Sequence, residues 1–342
     1  MTKNDFAKCL RGFFTEYLSA ERGVSSNTLR SYGTAFASYL DFMRVKRKVD
    51  AEKLTLEHMS RKNVLDYLDW LQTDKSSSVS TRNQRLAAIH AFCRYMQYED
   101  VTHLYQWQEI LGVKMKKAIK GTMNYLTMDA VKELLAHIPQ TTTRGRRDLA
   151  MLSLLYETGA RVQELIDLRP VDICLSKPCY VTLFGKGNKK RLVPIQDAQV
   201  SILRKYMEEN HLLELRMNQR PLFQNGRGGK LTGAGITYIL KNYATMARTA
   251  TENLIPEKIS PHCLRHSKAM HLLQAGVNLV YIRDILGHVS IQTTEVYARA
   301  DSKQKREALE KTYTSILPQE EDNKPSWESD SELKSWLKNL GR

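Results

Sequence analysis

Three stretches of the chain hold side chains suited to chemistry on an anion, and a turn between them adds a fourth. Thr158-Gly159-Ala160-Arg161-Val162-Gln163-Glu164-Leu165 sets an arginine just past a glycine-ended helix, where it can project into a cleft. His262-Cys263-Leu264-Arg265-His266-Ser267 puts His262 and Arg265 three residues apart, on one helical face. Leu286-Gly287-His288 is followed nine residues later by Tyr297. The turn is Gly185-Lys186-Gly187-Asn188. Arginine offers oxyanions a planar, permanently charged fork. A phenol has an ordinary pKa of about 10 and attacks only beside positive charge and a proton acceptor. Singly, each residue has a plainer explanation: a solvated arginine, a packed histidine, a tyrosine in a core. His262, His266 and His271 do not complete a metal-ligand pattern.

The elements that must position these residues are mostly helical. From Phe6 to about Asp100 apolar residues recur at helical spacing: Phe13, Phe14, Tyr17 and Leu18, then Leu29, Tyr32, Phe36, Tyr39, Leu40 and Met43 behind Ser26. Val64, Leu65, Leu68 and Leu71 mark a third helix. Leu86, Ile89, Phe92 and Cys93 mark a fourth, after the Ser76-Ser77-Ser78 turn. Four such helices predict a small bundle over residues 1–111. The pattern fails over 112–124, where Lys114, Lys116, Lys117 and Lys120 read as a basic linker. A second domain over 125–300 starts with a helix capped by Thr127. It then runs through helices at Asp148–Tyr156 and Val162–Leu168 to a β-hairpin of Tyr180–Phe184 and Arg191–Ile195. Helices return at 200–209, 233–246, 261–275, 279–286 and 290–299. The expected fold class is therefore mainly α with a small β-sheet, an α+β second domain behind a helical bundle. Residues 301–342 read as a basic helical segment, an acidic connector and a short helix with Leu333, Trp336, Leu337 and Leu340 on one face. Such a helix is marginal alone and needs a groove.

Bulk composition narrows the partner. Lys plus Arg is 52 against 37 Asp plus Glu, a formal charge of +15 on 342 residues, which favours a polyanion bound through counterion release. Apolar residues make up 42%, enough for folded cores. Cys9, Cys93, Cys174, Cys179 and Cys263 are scattered and form no C-x-x-C pair, which argues against a disulfide framework and a cysteine zinc site. The charges at Lys3, Asp5 and Lys8 make a secretory leader unexpected, and no apolar run in the sequence reaches membrane length. A reducing compartment, the bacterial cytoplasm near the nucleoid, is the expected location.

In this order and spacing, Arg161, Lys186, His262-x-x-Arg265, Leu286-Gly287-His288 and Tyr297 resemble the active site of the tyrosine recombinases, with the Xer-type and phage-integrase branch nearest. The resemblance spans the helical N-terminal region, of the SAM-like type, to about Ala300. It implies a two-domain DNA clamp that exchanges strands through a 3′-phosphotyrosine and a Holliday junction. Tyr297 would be the nucleophile. Arg161, Arg265 and His288 would bind the phosphate, His262 would accept the tyrosine proton, and Lys186 would protonate the leaving 5′-oxygen. Lys189 and Lys190 stand as alternatives to Lys186 should the hairpin register differ. Glu164 would orient the site. Neither metal nor other cofactor is implied. Double-stranded DNA is the expected partner, met by Thr28, Arg30, Arg82, Asn83 and Arg85 and by linker residues Lys114, Lys116 and Lys117. The terminal helix would join neighbouring subunits in a homo-tetramer, with partner recombinases or accessory proteins open. Pro261 to Met270 looks more like mobile-element integrases than dimer resolvases. Integration, excision or transposition is thus the first reading, Xer-type dimer resolution the second and a type IB topoisomerase a third. An additional arm-binding domain is not expected, because the bundle starts almost at Met1.

Overall fold

Hydroxyl side chains start six of the described helices. Ser25, Ser60, Ser78, Thr127, Thr142 and Thr232 each sit in extended backbone. Each accepts a hydrogen bond from the amide three residues on, satisfying a donor that the first helical turn leaves free. The second helix is capped by Ser25, one residue before the serine expected from the sequence. The computed structural model describes residues 5–118, 123–185, 187–251, 254–300 and 331–339. Its chain divides into two units, Met1–Gly121 and Thr122–Arg342.

The first unit holds α1 (Asp5–Gly12), which runs on through π-type turns to Glu21, then α2 (Ser26–Phe42), α3 (Arg61–Thr73) and α4 (Val79–Glu99). A fifth helix, α5 (Leu104–Leu111), was not anticipated: only Trp107 and Ile110 of its eight residues are buried, too few to show a period. The core is built of rings. Phe13 lies against Phe36 and Phe92, Phe42 against Tyr67 and Trp70, and Phe92 against Trp107, mostly edge to face.

The second unit holds α6 (Met128–Ala136), α7 (Thr143–Thr158) and α8 (Val162–Asp167). A three-stranded antiparallel sheet follows, in the order β1 (Ile173–Cys174), β2 (Tyr180–Phe184), β3 (Lys190–Pro194). Val181 pairs with Val193 and Leu183 with Arg191. Side chains alternate across a strand, so these four share the inner face and Arg191 points the way the apolar residues do. Then come α9 (Asp197–Glu209), α10 (Gly233–Ala250), α11 (Pro261–Gln274), α12 (Leu279–Leu286) and α13 (Gln292–Ala300). The main core is aliphatic, running from Leu126 and Leu134 through Leu152, Leu154 and Leu155 to Leu240 and Leu264. A smaller cluster of Ala269, Met270, Leu273, Ile282, Leu286 and Tyr297 packs α11, α12 and α13 together.

A last helix, α14 (Ser331–Asn339), carries Leu333, Trp336 and Leu337 exposed, the first of them least. Leu340, the basic segment after Ala300 and the acidic connector lie outside the described residues, as does Lys186. Among the described residues no helix is long and apolar enough to cross a membrane.

Candidate active site

The site grows from two helix ends. α7 stops at Gly159 and α12 at Gly287, both in the left-handed region, at φ 57° and 64°. Glycine is needed for space as well as conformation: a Cβ on Gly159 would come within 2.7 Å of Leu286, and one on Gly287 within 2.8 Å of the Arg191 guanidinium. A helix C-terminus leaves carbonyls without partners and carries partial negative charge. Arginines take up these carbonyls. Arg265 donates to Gly159 O at 2.6 Å and Leu286 O at 2.7 Å, Arg161 to Gly287 O at 3.1 Å, and Arg191 to Ile285 O at 2.9 Å. Two distant helix ends are thereby fastened around three cations.

Glu164 is the counter-charge. It is buried, and its carboxylate accepts from both Nη atoms of Arg191 at 2.9 and 2.6 Å. It also accepts from Arg161 Nη1 and from the Arg161 amide, each at 2.8 Å. Burial alone would raise the carboxyl pKa, but the hydrogen bonds and charge of Arg191, seconded by Arg161, hold it below the ordinary value. Arg265 is pushed down to about 10 by burial and then by the Arg161 charge. Three arginines against one carboxylate leave an excess of positive charge at this point.

His288 follows Gly287 directly, and its Nδ1 lies 2.9 Å from the buried Thr294 hydroxyl. Burial and then the neighbouring Arg265, Arg161 and Arg191 depress its pKa to about 4, so the imidazole is neutral near pH 7. Arg161, Arg191 and His288 line an open cavity of about 510 Å³ with Gly185, Lys189, Lys190, Arg283, Asp284, Gly287 and Val289. A cleft of that size and basic lining suits a phosphate group.

Tyr297, from α13, is 2% exposed. Its ring lies parallel to that of His288 at 6.3 Å between centroids, and its hydroxyl is 3.0 Å from Nδ1 of His266. Burial raises its pKa, opposed by Arg265 and Arg161. His262, one turn earlier on α11, is exposed, with its ring 6.4 Å from that of His266. The imidazole on the tyrosine is thus His266 and not the residue expected from the motif. Positions 262 and 266 are one turn apart on the same side of the helix, and spacing alone could not choose between them.

Arg161, Glu164, Arg265, His288 and Tyr297 are therefore brought together, with His262 at the edge. Sequence reasoning missed Arg191. Its signal was a charge at an inward position of an alternating strand, paired with Leu183.

The residues proposed from the N-terminal region divide differently. Arg30, Lys114 and Lys117 are exposed. Thr28 is half-buried, its amide and hydroxyl engaged by the capping Ser25. Arg82 is buried rather than solvated, with Nη1 on Asn83. Asn83 exchanges two hydrogen bonds with the Lys116 backbone, while the Lys116 ammonium reaches Gln72 at 2.6 Å. Arg85 donates to Ser31 O at 3.3 Å. The start of the basic segment is thus tied to the bundle by Asn83, which accounts for that residue without a ligand.

The family model for the phage integrase family matches residues 124–304, and that for the phage integrase N-terminal SAM-like domain matches 13–100. The chain is 34% identical over 313 residues to y4rC of Sinorhizobium fredii, named as an integrase/recombinase, covering 91% of this chain and 93% of that one. It is 36% identical over 286 residues to tyrosine recombinase XerD of Oceanobacillus iheyensis, covering 83% and 91%. Among solved structures, the Tn1549 transposon integrase in complex with transposon right end DNA matches with a TM-score of 0.66 at 16% identity, over 89% of this chain and 98% of that one. The XerH recombinase bound to palindromic difH substrate matches with a TM-score of 0.65 at 20% identity, over 90% and 88%. At these identities the two structures speak for the fold.

Proposed function

The chain belongs to the phage integrase family of tyrosine recombinases, site-specific DNA strand transferases, and on that premise we propose the roles of its residues. Tyr297 attacks the scissile phosphate. Negative charge building on the non-bridging oxygens is met by Arg161, Arg265 and His288, which act through fixed dipoles and charges rather than by reorganising. The 5′-oxygen leaves with a proton from Lys186, and the phosphate stays on Tyr297 as a 3′-phosphodiester. Because that bond keeps the ester energy, the 5′-hydroxyl of another strand can reverse the step without a nucleotide cofactor. No step asks for a metal, and cleavage should persist in excess EDTA.

The observation carrying this reading is the convergence of Arg161, Arg265, His288 and Tyr297, from four separate chain segments, beside a basic cavity. Tyr297→Phe tests it. The variant should bind duplex DNA as the wild type does and form no covalent adduct on a nicked suicide substrate. An adduct that survives moves the nucleophile elsewhere, to Tyr281 or Tyr313.

Residues 1–111 act as the core-binding DNA-binding domain, 112–124 as the linker and 125–300 as the catalytic domain, with double-stranded DNA as partner. The biological reaction is integration, excision or transposition of a mobile element. The likeness to y4rC over nearly the whole of both chains supports this, and the likeness to XerD favours dimer resolution as the second reading. A homo-tetramer on DNA joined through residues 301–342 completes the proposal, supported by the exposure of Trp336 and Leu337 on α14. Truncation after Asp322 should leave DNA binding and reduce synaptic tetramers in native gel shifts.

A further inference from the structure

We infer that Arg191 is a positioning residue for strand cleavage: it occupies the Glu164 carboxylate, so that the Arg161 guanidinium stays free for the scissile phosphate. The inference deepens the site reading above and rests on Arg161 being a phosphate ligand.

The hydrogen bonds carry it. A carboxylate has lone pairs for about four donors. At Glu164 each oxygen accepts twice. Oε1 takes Nη1 of Arg191 at 2.9 Å and Nη1 of Arg161 at 2.8 Å. Oε2 takes Nη2 of Arg191 at 2.6 Å and the Arg161 amide at 2.8 Å. The Arg161 guanidinium therefore holds Glu164 by one N–H and Gly287 O by another, and keeps its other N–H groups for a ligand in the cavity that it lines. Arg191 is committed at all three nitrogens, with both Nη atoms on Glu164 and Nε on Ile285 O. Its side chain is 10% exposed against 34% for Arg161, which leaves Arg161 as the one of the two that can meet a phosphate.

Competition for the carboxylate follows from this arrangement. An arginine and a carboxylate pair best fork to fork. With Arg191 removed, two acceptor places on Glu164 fall vacant, and water cannot fill them well because that side chain is only 4% exposed. Arg161 is already bonded to the same carboxylate and would turn its fork onto both oxygens. Its charge would then be spent on Glu164 and withheld from the phosphate. Burial works against the charge on Glu164, and Arg191, ahead of Arg161, keeps it ionised. The fold makes room for the clasp. Arg191 sits at an inward position of β3 opposite Leu183, and Gly287 lacks the Cβ that would stand 2.8 Å from Arg191 Nη1.

The test uses the full chain and single-turnover adduct formation. The substrate is a nicked duplex carrying a site selected from a random pool by binding to the wild type. Arg191→Met should bind this DNA with unchanged affinity and cleave it on the order of 10²–10³ times more slowly. Adding Glu164→Gln to Arg191→Met should raise the rate by about tenfold or more, because the amide oxygen still accepts from Arg161 but carries no charge to compete for it. A residue that only tied elements together would not be rescued by loosening a second tie. Arg191→Lys keeps a positive charge beside Glu164 and should stay within about tenfold of the wild type, which carries the test if the methionine variant does not fold. An Arg191→Met rate equal to wild type, a double variant no faster than Arg191→Met, or a lysine variant outside that range would each overturn the assignment. An Arg161→Ala variant that cleaves at the wild-type rate would instead sink the site reading on which it rests.

Discussion

The interiors of the two units are built from different materials. Six of the eight phenylalanines fall before residue 100, and the first unit closes on a ring cluster of Phe6, Phe13, Phe36, Phe42, Phe92 and Trp107. The second closes on leucine, isoleucine, valine and alanine, with Tyr206 and Phe223 as its aromatic pair. Against that aliphatic core sits an ionic group of Glu164, Arg161, Arg191 and Arg265. A buried ion pair often adds less stability than apolar side chains of the same volume would, because both charges must leave water. The first unit is thus specified by burial. The second carries polar machinery that burial would not select, placed where helix ends offer carbonyls to hold it.

Predictions that probe this contrast begin with the two interiors themselves. Glu164→Ala strands Arg191 in a buried place and should destabilise by about 3–5 kcal/mol, read as faster amide hydrogen exchange in residues 123–300 alone. Trp107→Ala should cost a similar amount, about 3–5 kcal/mol, with faster exchange confined to residues 5–118. Equal spreading of either effect over both units would erase the contrast. The double change Glu164→Leu with Arg191→Met should recover much of the stability while leaving cleavage lost, which separates holding the fold from holding the site.

Arg265→Lys tests whether the second interior serves chemistry. Lysine cannot bridge Gly159 and Leu286 as the guanidinium does. Adduct formation should fall by roughly 10²–10³, or about 3–4 kcal/mol of barrier, at unchanged DNA affinity. A change under tenfold would reduce Arg265 to a structural tie.

Acid should strain the second unit more than the first. His266, His271 and His288 all have depressed pKa values in the fold, His288 at about 4, against His90 in the bundle. The unfolded chain therefore binds more protons than the native one below the ordinary histidine pKa of about 6.5, and stability falls as pH drops from there toward 4. Glu164, depressed as well, adds its loss at lower pH still. Hydrogen-exchange protection, taken relative to the intrinsic exchange rate at each pH, should fall more in residues 123–300 than in residues 5–118 between pH 7 and pH 5.

Surface charge should matter least to stability. Arg30→Ala, Lys114→Ala and Lys117→Ala together should shift stability by only about 0.5 kcal/mol each or less. The logarithmic salt dependence of DNA binding should flatten by roughly 0.9 for each phosphate contact removed. An unchanged slope would take these residues out of the interface. Arg82 belongs to a different test: it is buried, so its substitution would unsettle the bundle as well as any DNA contact.

Much of the fold was legible because its signals are local. Leu86, Ile89 and Phe92 report a helix by their period, Thr127 announces a helix start, and Gly159 announces a helix end. The fifth helix was not, because two buried residues give no period. The short strand Ile173–Cys174 escaped because two residues show no alternation and its ladder is made by β2, outside its own stretch of chain. In the site, Arg161, Arg265, His288 and Tyr297 stood out by motif, whereas Arg191 looked like one basic residue among several in Lys189-Lys190-Arg191.

By itself, then, the sequence determined what depends on neighbours in the chain: which segments coil, where they start and stop, and which residue types travel together. Tertiary structure decided what depends on the crossing of distant segments. It turned Arg191 inward to clasp Glu164 against the end of α12, carried Arg82 into the bundle, and set His266 instead of His262 on Tyr297. The reason is geometric. Helical periodicity states that residues 262, 265 and 266 share a face, but which of them meets α13 depends on how α11 and α13 pack through Met270 and Leu273, contacts that lie outside the motif.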